Sequence, residues 1–383
     1  MSASSITLAP LASVQNVDLR ELCHALWDWK YCEQCNNDKL CETATCPWQR
    51  SNTLQPFFNY YKHAAEFCLP ERPGSGNYAL RNHLDLFGII KLIRKRPDLP
   101  RSLLINQYFT SPQYPHMPDG VEQQKAFNVA IKIMNMIDCS VDGRSSSDTE
   151  SGFGPVFWTD DKTHHDFIKA KFPINDSPRL REASSIIKKQ LTATQLKKIG
   201  IGFEATHDLK NHLKFDPATG IVELFHLVTY LREYLLATKD VLPTSDGIPR
   251  EPIPRQLALE THDSLRILFP LAHDSKKILQ TLASRDGFDF NYPDCDLIDF
   301  RRENEEDISY HYWGTRLLAL YDELQEPTPR GVFQWVQRRT NQRHFMLLAI
   351  AGTVFAVLSL AIGIFQSWVS YQQWKHPVNT ASI

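Results

Sequence analysis

The stretch CEQCNNDKLCETATC places Cys32, Cys35, Cys41 and Cys46 in a C-x2-C-x5-C-x4-C run, which holds half of the eight cysteines of the 383-residue chain in fifteen residues. Four thiolates spaced in this way can close around one soft or borderline cation. Zinc takes such a set as a tetrahedron, and with all four positions filled by protein the site would be structural, not catalytic. Asn36, Asn37 and Asp38 are residue types that make the tight turn between the ligand pairs.

The run has the dimensions of a zinc knuckle with cysteine in place of histidine, but it lacks the glycine and the basic residues of a nucleic-acid-binding one. Disulfides and free thiols are the alternatives, and the compartment decides among the three, because a reducing cytosol favours metal over disulfide. Trp27, Trp29 and Trp48 flank the run and are expected to pack a small core rather than stack on bases.

Other chemistry is sparse. No G-x-S-x-G elbow, phosphate-binding loop, G-x-G-x-x-G or H-E-x-x-H occurs. FWTDDKTHHDF gathers Asp160, Asp161, His164, His165 and Asp166, yet adjacent histidines on a helix diverge. His207 and His212 are five apart, one residue out of register for a shared ligand, and read as satisfied polar or surface groups.

Between Pro178 and Lys214 lie eight Lys or Arg against three acids, and LTATQLKKIGIGFEATHDLKNHLKFDPATGIVELF can be read as helix, glycine turn, second helix and β hairpin. That order resembles a winged helix-turn-helix. Leu282 to Asp307 carries the opposite bias, nine acids against three arginines, so the two patches could pair within the molecule. With an overall net charge of −2, nucleic acid is the disfavoured partner.

The elements that position these groups are mainly helical. Leu80, Leu84, Phe87 and Lys91, with Ile90 and Ile93 beside them, predict one helix ended by Pro97. Phe127, Ile131 and Met134 predict a second; Leu257, Thr261, Leu265 and Leu268 a third; Trp313, Leu317, Leu320 and Leu324 a fourth. The clearest strand signal is KFDPATGIVELF, where a Pro-Ala-Thr-Gly turn leads into Ile221 and Val222.

Linker composition at SVDGRSSSDTESG and DVLPTSDGIPREPIP suggests cuts near 140–155 and 240–254. The divisions expected are a Cys-rich region 1–70, a helical domain 75–238, a helical region 255–326 and a juxtamembrane and transmembrane part 330–374.

Phe345 to Phe365 are 21 residues without a charge, twelve of them Leu, Ile, Val or Phe. At about 1.5 Å per residue this just spans a hydrocarbon core of about 30 Å. The twelve favour insertion by about 4 to 7 kcal/mol. Trp368, Tyr371 and Trp374 follow as interfacial aromatics, and Arg338, Arg339 and Arg343 precede as the basic flank, against a lone Lys375 downstream.

The positive-inside bias therefore places the large N-terminal part in the cytosol. MSASSITLAPLASVQNVDLRE lacks the pattern of a secretory signal, so the chain reads as tail-anchored. Gly352, Ala356, Ser359 and Gly363 form a small-residue stripe that would permit homo-oligomerisation through close helix pairing.

FFNYYKHAAEFC, EQQKAFNVAIKIMNMIDCS, PRQLALETHDSLRILFPL, YHYWGTRLLALYDELQEPTPRG and SWVSYQQWKHPV resemble an uncharacterised family of filamentous-fungal proteins with one C-terminal membrane helix. The resemblance spans most of the chain and implies a fungal source and an anchored architecture, with no activity to carry over. A looser likeness is to CorA-type magnesium channels, whose Gly-Met-Asn pore motif and second span are missing here.

The expectation is a mainly α protein: a helical cytosolic region with a small β hairpin, then one C-terminal transmembrane helix. Membrane lipid and unidentified proteins are its expected partners, and a non-enzymatic interaction or scaffold role its expected work. A membrane-tethered nucleic-acid-binding protein and an ion-transporter subunit are the alternatives.

Overall fold

Helical periodicity becomes helix almost throughout. The computed structural model describes residues 11, 13–36, 41, 43, 45–66, 78–139, 157–175, 178–241, 251–270, 272–289, 300–303, 305, 308–328 and 343–375, without the side chains of 36, 180–184 and 343–351. In chain order the helices are α1 (Asn16–Trp27), α2 (Glu33–Asn36), α3 (Gln55–Glu66), α4 (His83–Lys95), α5 (Arg101–Phe109), α6 (Gly120–Asn135), α7 (His164–Lys171), α8 (Pro178–Gln190) and α9 (Ala193–Lys198). After a small sheet come α10 (Val228–Ala237), α11 (Arg255–Leu268), α12 (His273–Asp286), α13 (Gly314–Gln325) and α14 (Arg343–Lys375).

α4 shows how local chemistry sets a boundary and a face. Asn82 caps it by accepting from the Asp85 N–H at 3.1 Å, and the helix ends two residues before Pro97. Because it starts at His83, Leu80 precedes the helix and Leu84 faces solvent, 62 % exposed. The buried face is Leu86, Phe87, Ile89, Ile90 and Ile93, a rotation from the expected stripe. Gly88 lets α5 approach, since a Cβ there would sit 2.6 Å from the Tyr108 hydroxyl. That hydroxyl donates to the Asp85 carbonyl at 2.7 Å.

The other three stripes bury largely as expected. Phe127, Ile131 and Met134 are buried on α6, and Leu257, Thr261, Leu265 and Leu268 on α11. Leu317 and Leu320 are buried on α13, behind Trp313 at its N-cap.

The hairpin is present but belongs to a three-stranded sheet. β2 (Lys214–Asp216) pairs antiparallel with β3 (Ile221–Phe225), and β1 (Gly202–Thr206) pairs with the other edge of β3 in parallel. Asp216 fixes the turn by accepting from the Ala218 N–H and the Thr219 hydroxyl, and Gly220 supplies a φ of 72°.

The second helix of the winged helix-turn-helix reading is therefore absent. Its residues form β1 and a short 3-10 turn at Leu209–Asn211. Phe203 packs on Phe269 and pairs with Val222 across the sheet, so tertiary pairing overrides whatever helical preference the segment has. Without that helix Lys210 and Lys214 are not aligned as a groove-reading surface.

Met1–Glu326 forms one compact unit and Pro327–Ile383 a second. The linkers expected at 140–155 and 240–254 fall mostly outside the described residues, yet described elements on both sides of each contribute to one hydrophobic cluster. Buried charge reinforces it. Arg101 donates to the Trp158 and Gln124 carbonyls and to Asn128. Arg255 grips Glu305 through two bonds of 2.7 and 3.0 Å, and Arg50 grips Glu233, 183 residues away in sequence, in the same forked way.

The Glu260 carboxylate, fully buried on α11, accepts the N–H groups of His311, Tyr312 and Trp313 at 2.7, 2.8 and 3.0 Å. It thereby pins, from another helix, the turn that leads into α13. Leaving any of these buried charges unpaired costs about 3 to 5 kcal/mol, so each contact constrains how distant segments meet.

Candidate metal centre

The cysteine run is held at both ends by aromatic packing. On its N-terminal side α1 ends at Trp27, and Asp28 turns the chain with a φ of 55°, its carboxylate taken by Arg94 at 2.7 Å. On its C-terminal side Cys46 precedes a 3-10 helix, Pro47–Leu54, that leads into α3. Trp48 from that helix meets Trp29 and Tyr31 edge-on, with centroids 6.5 and 6.0 Å apart. Arg50 lies over Trp29 at 5.4 Å, and the Tyr31 hydroxyl donates to the Arg20 carbonyl. The three tryptophans pack against the core, as expected, and the two flanks of the run clasp one another.

This clasp brings the four sulfurs together. All four Sγ atoms lie within 4.8 Å of one another, with Cys32–Cys35 at 3.5 Å, Cys35–Cys46 at 3.7 Å and Cys32–Cys41 at 3.9 Å. A tetrahedron with bonds of about 2.3 Å has sulfur–sulfur edges of about 3.8 Å, whereas a disulfide needs about 2.05 Å. The observed separations fit the first and not the second, and the cysteines are free. Four cysteines thus lie close enough to bind one metal ion. Asn37 and Asp38 of the expected turn lie outside the described residues, and Asn36 closes α2.

Cys35 and Cys46 are buried, and Cys32 and Cys41 are partly exposed. The Cys35 backbone N–H, in the first turn after Cys32, draws the Cys32 thiol down to about 6. Burial pushes Cys35 and Cys41 up. Thiols this close cannot all ionise unless a cation offsets their mutual repulsion, which a divalent ion would do.

The remaining sequence candidates are engaged elsewhere. Thr163 caps α7 by accepting from Asp166, and buried His164 meets Asn135 at 2.9 Å. His207 stacks on Tyr60 and lies edge-on to His226, whereas His212 is fully buried.

His212 sits 2.7 Å from the Ser264 hydroxyl, a pairing that could pass for a nucleophile and its base. The bonding runs the other way. The Phe225 N–H donates to Nδ1, so Nε2 carries the proton and donates to Ser264, which passes its own proton to the Thr261 carbonyl. The pair is structural. With its members 52 positions apart, no local sequence signal could have found it.

Arg338 and Arg339 lie outside the described residues, and α14 begins at Arg343, whose side chain does too. Gly352–Lys375, 24 residues, is long and apolar enough to cross a membrane, and none of it is buried among the described residues. Trp368, Tyr371 and Trp374 cluster in its last turns, Trp374 being 79 % exposed. Gly352, Ala356, Ser359 and Gly363 lie on the same helix, and a Cβ at either glycine would meet nothing within 4 Å.

No protein-family model matches the chain, and neither a curated protein nor a solved structure matches it. Its own geometry therefore carries the functional reading.

Buried imidazoles give the helical unit a defined pH response. Burial holds His164, His226 and His262 at about 3 and His212 well below its usual value. A group depressed in the folded state contributes fully above its unfolded pKa, about 6.5, and loses that contribution as pH falls towards the folded value. At pH 5.5 each imidazole has given up about 1.4 kcal/mol, or about 6 kcal/mol for the four. Glu223, Glu251 and Glu260, raised by burial, offset part of this at lower pH.

The sum is comparable with a whole domain's stability of about 5 to 15 kcal/mol. Tryptophan fluorescence followed in urea should show the unfolding midpoint falling steeply between pH 6.5 and 5.5. A midpoint constant across that range would contradict the burial of these groups.

Proposed function

We propose that the chain is a single-pass, tail-anchored membrane protein whose helical unit faces the cytosol and works by binding other molecules, with Cys32, Cys35, Cys41 and Cys46 holding a structural zinc. The observation that supports the anchoring is the length and apolar character of Gly352–Lys375, which is not buried among the described residues. At about 1.5 Å per residue the 33 residues of α14 reach about 50 Å, enough for the hydrocarbon core and an interfacial region where Trp368, Tyr371 and Trp374 would sit. The arginines before it, against Lys375 after it, support a cytosolic N-terminal side. Arg338, Arg339 and Arg343 would meet anionic headgroups at about 1 kcal/mol each.

The cytosolic side is also where four unpaired thiols persist, and an all-sulfur tetrahedron suits zinc. Such a site has no open position for substrate, which agrees with a binding role. So does the wiring of the Ser264–His212 pair, which leaves the serine unactivated. Self-association through Gly352, Ala356, Ser359 and Gly363 belongs to the same reading. A fungal source is in keeping with it through the family resemblance.

Removing residues 343–375 should move the protein from the carbonate-resistant membrane pellet to the supernatant, still folded by circular dichroism. A truncated protein that stays in the pellet would contradict the anchor. The purified full chain should carry one zinc, lost together with several degrees of melting temperature in Cys35→Ser and Cys46→Ser, because metal binding and folding are coupled. Cys139→Ser, at a buried thiol outside the run, should keep the zinc. Equal metal content in all three variants would rule out the site.

A further inference from the structure

A cleft of about 300 Å³ opens on the helical unit, lined by Lys188, Asp263, Arg266, Ile267, Arg301 and Ile308. Its walls come from three separate segments: α8 gives Lys188, α11 gives Asp263 to Ile267, and the stretch before α13 gives Arg301 and Ile308. Three cations against one carboxylate leave two positive charges over among these residues.

The carboxylate is already committed. Asp263 accepts from the Tyr310 hydroxyl with one oxygen and faces Arg301 at 3.8 Å with the other. Arg301 is held in place, donating to the Glu305 carbonyl at 2.8 Å, and its side chain is only 18 % exposed. Lys188 sits over the Tyr310 ring at 5.6 Å. Arg266 is exposed, and after burial it is Arg266, Arg301 and Arg232 that hold the buried His262 below its ordinary value.

We infer that this cleft binds the phosphate group of a phosphate monoester. The dianion matches the two spare charges, and guanidinium forks suit its oxygens. Ile267 and Ile308 give an apolar wall for a small organic remainder, and the volume lies at the low end of small-molecule sites. The same group occurs on a soluble metabolite and as the headgroup of phosphatidic acid, and the cleft reads the group that both share.

Calorimetric titration of the full chain in zwitterionic detergent tests this, with inorganic phosphate and glycerol 3-phosphate as probes. Saturable one-to-one binding is expected, weakened about tenfold or more in Arg266→Gln and in Lys188→Gln. Both positions are exposed, and unchanged circular dichroism would show that the variants fold. Lys189→Gln, beside the cleft residue on α8 and not part of the lining, should leave affinity unchanged.

Absence of saturable binding at millimolar phosphate would overturn the inference, as would equal weakening by Lys189→Gln. Micelles doped with phosphatidic acid separate the two sources. Loss of glycerol 3-phosphate binding there supports the site with a lipid headgroup, and retention supports it with a soluble ligand.

Discussion

Gly352–Lys375 is long and apolar enough to cross a membrane and is not buried among the described residues, and the proposed reading rests on that helix. In the proposed topology its arginine flank sets the side of the membrane, and that side would set the redox chemistry of the cysteines. Sulfur atoms 3.5 to 3.9 Å apart are poised for a metal in a reducing compartment and for oxidation elsewhere. The apolar helix and the thiol cluster share no residue, yet under the proposed topology the first would set the redox conditions of the second.

Inside the helical unit, cohesion comes from an apolar cluster and from buried charges that join distant segments. Glu260 on α11 pins the turn that leads into α13, and Arg50 ties the chain just after the cysteine run to Glu233 on α10. That second tie bears on the metal centre, because the same guanidinium lies over Trp29. The cysteine loop is thus secured to the core through aromatic rings and one ion pair, which suits a structural site. The unit's charge is sorted as well: Arg255 is neutralised by Glu305, and Arg301 shares Asp263 with Tyr310 at a cleft where cations outnumber acids.

What could be read in the sequence was what depends on neighbours in the sequence. The long apolar helix α14 is a matter of run length, the cysteine cluster of spacing within fifteen residues, and the β2–β3 turn of Asp216 to Gly220. The strand β1 escaped because its partner begins nineteen residues later and pairs in parallel, so nothing local marks Gly202–Thr206 as extended. On α4 the spacing marks Phe87, Ile90 and Ile93 correctly, but tertiary packing buries Leu86 and Ile89 and leaves Leu84 in solvent, and the Asn82 cap puts Leu80 before the helix. Buried polar ties such as His212–Ser264, and the cleft of Lys188, Arg266 and Arg301, join residues dozens of positions apart; only the folded chain displays them.

The central claim is that the helical unit and its thiols lie on the cytosolic side of a membrane crossed once by α14. Protease protection of the full chain, tagged at both ends in sealed microsomes, tests it most directly. The account predicts that external protease removes the N-terminal tag while the C-terminal tag survives until detergent is added. Protection of the N-terminal tag, or loss of both without detergent, would contradict it.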